Sequence, residues 1–166
     1  MNVVFAGLGG QGVIKASDVL ADAAFRAGHD VKKAEIHGMS QRGGSVTSDV
    51  RFGPEVLSPM IPEGQADFLV VLAPTQVENN VQHLRREGVL FPPDLVPESG
   101  LRNKRSLNVA LLGALSVHLD LADEHWKAAI ASALPERLLA VNLEAFQAGR
   151  DAERARAAGK GSHAQP

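Results

Sequence analysis

The side chains best suited to chemistry lie together in residues 35–45, where polar groups alternate with glycines. These groups are a carboxylate, an imidazole, a hydroxyl, an amide and a guanidinium, and they belong to Glu35, His37, Ser40, Gln41 and Arg42. A connection between two elements needs only one or two turn residues. So many side chains able to make directed polar contacts indicate a loop that touches another molecule.

Two residues of this loop, His37 and Arg42, have the most specific chemistry. The His37 imidazole can hydrogen-bond a substrate carboxylate, or it can simply fix its own loop. The Arg42 fork suits a carboxylate or a phosphate, or a salt bridge to Glu35 or to a partner chain. The catalytic candidates are His37, Gln41 and Arg42, and the other candidate site residues of the loop are Gly38, Ser40, Gly43 and Gly44.

A second glycine-rich run precedes this loop and fits the pattern G-x-G-x-x-G. Its candidate site residues are Gly7, Gly9, Gly10, Gln11 and Gly12. Between a strand and a helix, such a run can cradle a phosphate with backbone N–H groups. A nicotinamide dinucleotide site would also need an acid after the second strand, and Glu35 is available. The alternative is close packing of helix on strand without any ligand.

Composition excludes several classes of function. The chain has 166 residues, is 45% hydrophobic and carries a net charge of -2, which favours one globular domain and gives no argument for nucleic acid or an anionic membrane. It has no cysteine, so it holds neither a disulfide nor a thiolate-ligated cluster. No signal peptide or membrane-spanning run is present, and we expect a soluble cytoplasmic protein. No acidic or histidine cluster has metal-ligand spacing.

The elements that position these loops follow from hydrophobic periodicity. Strands are predicted at residues 2–6, 30–36, 45–52, 68–72 and 89–91, and helices at 13–27, from Pro74 to about 86, 107–118, 126–134 and 138–146. The order predicts a three-layer α/β/α, Rossmann-like domain over residues 1–150 with a mostly parallel, mixed sheet. Residues 151–166 are charged and alanine-rich, which predicts a disordered tail. Trp126 is predicted to lie in the core.

Parallel strands place their following loops at one edge of the sheet. If the first, second and fourth strands are parallel, three segments meet at that edge: residues 7–12, 37–44 and 73–76. These loops can hold an anion, but the sequence shows no nucleophile elbow, Walker loop or metal set. We therefore expect a subunit whose loops complete a site formed mainly by another chain.

Several motifs together resemble the gamma subunit, or gamma domain, of the 2-oxoacid:ferredoxin oxidoreductases. They are residues 7–12, 35–45, 51–52, 58–59, 65–67 and 142–149. As a short stand-alone chain, it is most similar within that family to the beta subunit of indolepyruvate oxidoreductase. The resemblance spans about residues 2–150.

The resemblance implies a complex that oxidatively decarboxylates a 2-oxoacid to an acyl-coenzyme A and passes electrons to ferredoxin or another acceptor. It implies that thiamine diphosphate and iron–sulfur clusters are bound by partner subunits, and that this chain packs on the thiamine-binding subunit. The loops at residues 7–12 and 37–45 would then face the substrate and coenzyme A. Two alternatives stay open: a stand-alone dinucleotide-binding protein that uses Glu35, and a purely structural assembly subunit.

Overall fold

The computed structural model describes residues 1–39 and 43–161, and its centre is a five-stranded sheet. The strands are β1 (Asn2–Leu8), β2 (Asp30–His37), β3 (Ser45–Gly53), β4 (Ala66–Val71) and β5 (Leu84–Phe91). Their order across the sheet is β2-β3-β1-β4-β5. The helices are α1 (Val13–Arg26), α2 (Val77–Asn80), α3 (Leu107–Ser116), α4 (Asp123–Ala133) and α5 (Glu136–Gly161).

The sheet is mixed, and only β3 runs against the others. β1 pairs with β4 and β4 with β5 in parallel, whereas β3 is antiparallel to both β1 and β2. Strands β1, β2 and β4 therefore point the same way, so the loops that follow them meet at one edge, as the sequence predicts. The α/β class and the mixed sheet are confirmed.

The two faces of the sheet are covered unequally. One face carries the larger core, to which α1, α3, α4 and α5 all contribute, and Trp126 is fully buried there as predicted. The opposite face buries a smaller group that includes Val4, Leu69 and Ile61. That group is covered by the segment between β3 and β4 and by the short α2 region. The third layer is therefore thin.

The predicted helix from Pro74 to about residue 86 is wrong. Residues 74–83 form a 3-10 turn, the one-turn α2 and a second 3-10 turn, and β5 begins at Leu84. Gly88 therefore lies inside a strand and does not end a helix. Residues 92–106 contain three short 3-10 turns.

The prediction of a disordered tail is also wrong for residues 151–161, because α5 continues to Gly161, whereas residues 162–166 lie outside the described residues. Glu153 is only 2% exposed, and its carboxylate accepts hydrogen bonds from Arg156 at 2.9 Å and pairs with His118 at 2.7 Å. Arg156 also donates to the Leu90 carbonyl at the edge of the sheet. The buried Glu153 with its hydrogen-bonded partners, together with the partly buried Ala152, holds this part of the helix in place.

None of the helices in the described part of the chain combines the length and the apolar character needed to cross a bilayer.

Candidate functional site

The first glycine loop is tied to the neighbouring strand by Gln11. The Gln11 amide oxygen accepts from the Leu8 N–H at 2.8 Å, and its amide nitrogen donates to the Leu72 carbonyl at 3.3 Å. A Cβ at Gly7 would lie 2.8 Å from Val13 Cγ2 and 3.1 Å from Leu72 Cβ. Gly7 is therefore required by close packing, and both polar ends of Gln11 serve the loop itself.

The start of α1 is covered by a side chain from α3. Gly12 caps α1 with φ of 84°, a left-handed conformation that favours glycine. The Asn108 amide nitrogen donates to the Gly12 carbonyl at 3.3 Å, and a Cβ at Gly12 would lie 2.5 Å from that nitrogen. The close contact gives Gly12 a second, structural reason to be glycine.

The placement of Glu35 disfavours a complete dinucleotide site. β3 lies between β1 and β2, so the end of β2 is two strand spacings, roughly 10 Å, from the first glycine loop. The Glu35 carboxylate is also engaged, with Lys33 Nζ at 3.1 Å and His37 Nε2 at 3.7 Å. Glu35 therefore does not take the place of an acid that follows the strand next to β1.

The second glycine loop is fastened at both ends and touches the first. The Gly38 N–H donates to the Ser45 carbonyl at 2.7 Å, and the Gly9 N–H donates to the Gly44 carbonyl at 2.8 Å. A Cβ at Gly9 would lie 3.4 Å from Gly43 Cα. Among the described residues, the two loops thus meet through backbone atoms at Gly9, Gly43 and Gly44, and glycine at Gly9 keeps that approach open.

The residues next to this junction project outward. The His37 side chain is 62% exposed, and Met39 is fully exposed. Gly10 and Gly43 both have positive φ, at 89° and 68°, which explains the glycines at those positions. The remaining candidates Ser40, Gln41 and Arg42 lie outside the described residues.

A groove of about 850 Å³ opens beside the first glycine loop. Gly10 and Gln11 form one side of it, Leu72 and Pro74 lie at the end of β4, and residues 93–107 form the far wall. Pro74 belongs to residues 73–76, the third segment that the sequence analysis placed at this edge of the sheet. All three segments therefore converge, although the groove itself is next to the first and third.

Both signs of charge line the groove, and the sequence analysis missed them. Lys104 forms an ion pair with Glu98, and the hydrogen bond between them raises the pKa of Lys104. Arg105 is exposed, and no ion pair joins it to another residue of the described ranges. The sequence did offer a signal for this wall of the groove, because two adjacent cations, Lys104 and Arg105, directly precede Ser106 at the N-cap of α3. An exposed guanidinium beside mostly apolar walls suits an organic anion.

The described residues, 1–39 and 43–161, bring no three His, Asp or Glu side chains together as a metal site. Since the whole chain lacks cysteine, a cluster held by thiolates needs ligands from another chain.

The model of the pyruvate ferredoxin/flavodoxin oxidoreductase family matches residues 2–97, which include the whole sheet and both glycine loops. The chain belongs to this family. Its resemblance to the gamma subunits is confirmed by relatives of two kinds, indolepyruvate oxidoreductase subunits and common gamma subunits of pyruvate/ketoisovalerate oxidoreductases. The matched range ends before Lys104 and Arg105, so the charged wall of the groove lies outside it.

Individual relatives cover most of this family member. The indolepyruvate oxidoreductase subunit IorB of Thermococcus kodakarensis is 33% identical over 190 aligned positions, covering 89% of this chain and 93% of its own. The IorB subunit of Archaeoglobus fulgidus is 46% identical over 91 positions, 55% of this chain and 45% of its own. A gamma subunit of a keto/oxoacid ferredoxin oxidoreductase from Geobacter sulfurreducens has the same fold, with a TM-score of 0.75 at 24% identity, covering 93% and 96% of the two chains.

A larger enzyme contains the same fold as a part. The 2-oxoglutarate:ferredoxin oxidoreductase of Magnetococcus marinus, solved with 2-oxoglutarate, coenzyme A and succinyl-CoA, superimposes with a TM-score of 0.78 at 23% identity. The alignment covers 93% of this chain and 31% of that one. At this identity the likeness concerns the fold alone.

Proposed function

We propose that this chain is the gamma-type subunit of a 2-oxoacid:acceptor oxidoreductase and acts packed on a thiamine-binding subunit. The observation that carries the proposal is the junction of the two glycine loops, Gly9 on Gly44, beside an open groove at the carboxyl edge of the sheet. The described residues of the loops supply exposed polar groups such as His37, without a catalytic set of their own. Such a surface completes a site whose reactive groups belong to another chain.

The reaction of the complex is the oxidative decarboxylation of a 2-oxoacid to its acyl-coenzyme A, with electrons passing to ferredoxin. Similarity to IorB subunits over 89% of the chain favours indolepyruvate or another aryl 2-oxoacid. The choice among 2-oxoacids belongs to the subunits that hold the thiamine, so the substrate class is tested on the whole complex.

Of the cofactors of such a complex, only coenzyme A would contact this chain extensively. Thiamine diphosphate and the iron–sulfur clusters belong to partner subunits, and the lack of cysteine agrees with that division. Coenzyme A is anionic and has a long, partly apolar arm, and the groove offers Arg105 with apolar walls such as Leu72 and Val96. This chain would bind and orient the coenzyme and exclude water around it.

The second loop has the role of closing the site. Arg42 anchors an anionic group or a carboxylate of the partner subunit, and His37 and Gln41 shape the loop or contact substrate. The exposed positions of His37 and Met39 leave this surface available to a partner.

The test is a pull-down of the chain from its native cell extract, followed by assays of the eluate for thiamine diphosphate and iron. We expect co-purifying subunits that carry both, and turnover with one member of a panel of 2-oxoacids. Elution of the chain alone with a bound nucleotide would instead establish the dinucleotide-binding alternative.

Within the active complex, Arg42→Ala tests the loop. We expect loss of turnover while the isolated chain keeps its unfolding midpoint. If the variant complex has unchanged kinetic constants, Arg42 is not part of the site. Impaired assembly with normal turnover per assembled complex would show that the loop only packs.

A further inference from the structure

The two edges of the sheet differ in how they are protected. β5 has a register shift opposite β4, between Ala66 and Phe68, and Arg156 donates to its Leu90 carbonyl. β2 pairs with β3 in continuous register from Asp30 to His37. No segment of residues 1–39 or 43–161 pairs with its outer side. A regular, unpaired edge strand is a ready template for another strand.

We propose that β2 pairs with β2 of a second copy of this chain, antiparallel about a two-fold axis at Ala34. The sheet would then continue from one copy into the other. This inference concerns a surface separate from the groove and does not depend on the reaction proposed above.

Charge favours this register over the two that neighbour it. Directly opposite residues of an antiparallel pair share a face, so the axis must lie midway between the two copies of one residue of the strand. With the axis at Ala34, Lys33 of each copy lies opposite Glu35 of the other. An axis at Lys33 would oppose two lysines, and an axis at Glu35 would oppose two glutamates. Like charges directly opposite one another are destabilising.

The same register uses the whole strand. Residues 30–38 of one copy lie opposite residues 38–30 of the other, so no part of β2 is left unpaired. On the face without a long helix, Lys32 lies opposite Ile36 of the second copy. Ile36 is 49% exposed in the single chain, and the aliphatic stem of a lysine can cover it. Lys33 already contacts Glu35 and Asp18 of its own chain, so the cross-pairs extend an existing charge network.

Pairing through one strand buries less surface than the roughly 1,200 Å² of a stable interface. We therefore expect weak, concentration-dependent self-association of the isolated chain.

A disulfide tests the axis directly, because the chain has no cysteine of its own. Opposite Cα atoms in an antiparallel pair are about 4.5–5.5 Å apart, within disulfide range. Ala34→Cys should therefore give a covalent dimer under mild oxidation, both in the full-length chain and in the assembled complex. The control is Lys32→Cys on the same face, whose counterpart lies about 13 Å away in this register. Equal cross-linking of both variants, no cross-linking, or cross-linking to another subunit overturns the proposal.

Charge exchange provides an independent test by analytical ultracentrifugation. Lys33→Glu and Glu35→Lys each place like charges opposite one another in a homodimer, and each should weaken self-association roughly tenfold. A mixture of the two variants restores opposite charges in every cross-pair, so it should associate as well as the unmodified chain. Failure of the mixture to associate, with both variants folded, contradicts the register.

Discussion

At the scale of single residues, Gln11 holds the first glycine loop through both ends of its amide. Gln11→Ala removes the acceptor of the Leu8 N–H and the donor to the Leu72 carbonyl. We expect the free energy of unfolding, measured in urea, to fall by about 1 kcal/mol, and amide exchange at Leu8 to become faster. Gln11→Glu retains an acceptor for Leu8 and should protect that amide better than alanine does. Unchanged exchange at Leu8 in the alanine variant would show that Gln11 does not fasten the loop.

Asp49 makes stability depend on pH. It is 6% exposed, and burial raises the pKa of its carboxyl, although the Ile61 N–H at 2.8 Å and the nearby His83 and Arg51 act in the opposite direction. The folded state therefore binds this proton more tightly than the unfolded chain does. The contribution of Asp49 to stability is greatest below the unfolded pKa of about 3.9 and is lost as pH rises through the folded value.

Asp49→Asn retains an oxygen that can accept from Ile61 but does not ionise. The free energy of unfolding of the asparagine variant, minus that of the unmodified chain, should therefore increase from pH 4 to pH 7. Parallel denaturation curves at several pH values give this difference. A difference that stays constant or decreases with pH would mean that the charged neighbours, rather than burial, dominate at Asp49.

At the scale of elements, the tightest contact is the crossing of α3 and α5. A Cβ on Gly149 would overlap the Ala110 carbonyl oxygen, and one on Gly113 would overlap the Phe146 carbonyl oxygen. Gly149→Ala should lower the free energy of unfolding by about 1–3 kcal/mol or more, because two helix backbones must separate. Gly159→Ala is the matched control: it lies in α5 with nothing near its Cβ position, and it should be neutral or stabilising by up to about 1 kcal/mol. Equal effects would mean that the helices do not meet this closely.

The end of α5 gives a second prediction at this scale. A chain that stops after Arg150 loses Glu153 and Arg156, and with them the contacts to His118 and β5. We expect this truncation to lower the thermal unfolding midpoint clearly, because His118 and the β5 edge lose their partners. A chain that stops after Gly161 should unfold like the full-length protein. The same midpoint for both truncations would support the disordered tail that the sequence predicts.

The local sequence pattern identified most of the sheet, but it missed the start of β5 and the C-terminal part of α5. β1 and β4 are apolar runs, β3 alternates apolar with polar residues, and glycine or proline lies close to the ends of all three, which periodicity and turn signals detect. Residues 84–87 are Leu-Arg-Arg-Glu, a helix-forming sequence, but Leu84 pairs with Ala66 of β4 and the strand continues through an irregular register to Val89. Glu153 is buried by its contacts with the distant His118 and with Arg156 one turn along the same helix, which no hydropathy pattern reveals.

The candidate site shows the same limit. The meeting of the glycine loops could be predicted because it follows from strand direction and loop placement alone. Lys104 and Arg105 could not be placed, since they reach the first loop only through the path of a proline-containing segment. The position of β3 between β1 and β2 could not be predicted either, because it depends on pairing between distant parts of the chain. This position separates Glu35 from the first glycine loop.

At the scale of the whole molecule, the groove and the outer edge of β2 lie on different parts of the surface. The groove lies between the first glycine loop and residues 93–107, beyond β4, whereas β2 is the far edge of the sheet. Two copies joined through β2 would therefore leave both grooves open. A ligand in the groove and a second copy at β2 can be bound at the same time.

Arg105→Glu tests whether the groove receives coenzyme A in the active complex. Reversing the exposed guanidinium should raise KM for coenzyme A about tenfold or more, because a charged hydrogen bond is worth roughly 1.5–3 kcal/mol. KM for the 2-oxoacid and the unfolding midpoint should stay unchanged. The matched control is Arg102→Glu, since Arg102 is 74% exposed, pairs with Glu144 and does not line the groove. If both variants raise KM for coenzyme A equally, the effect is general electrostatics; if neither does, the coenzyme binds elsewhere and the groove has another occupant.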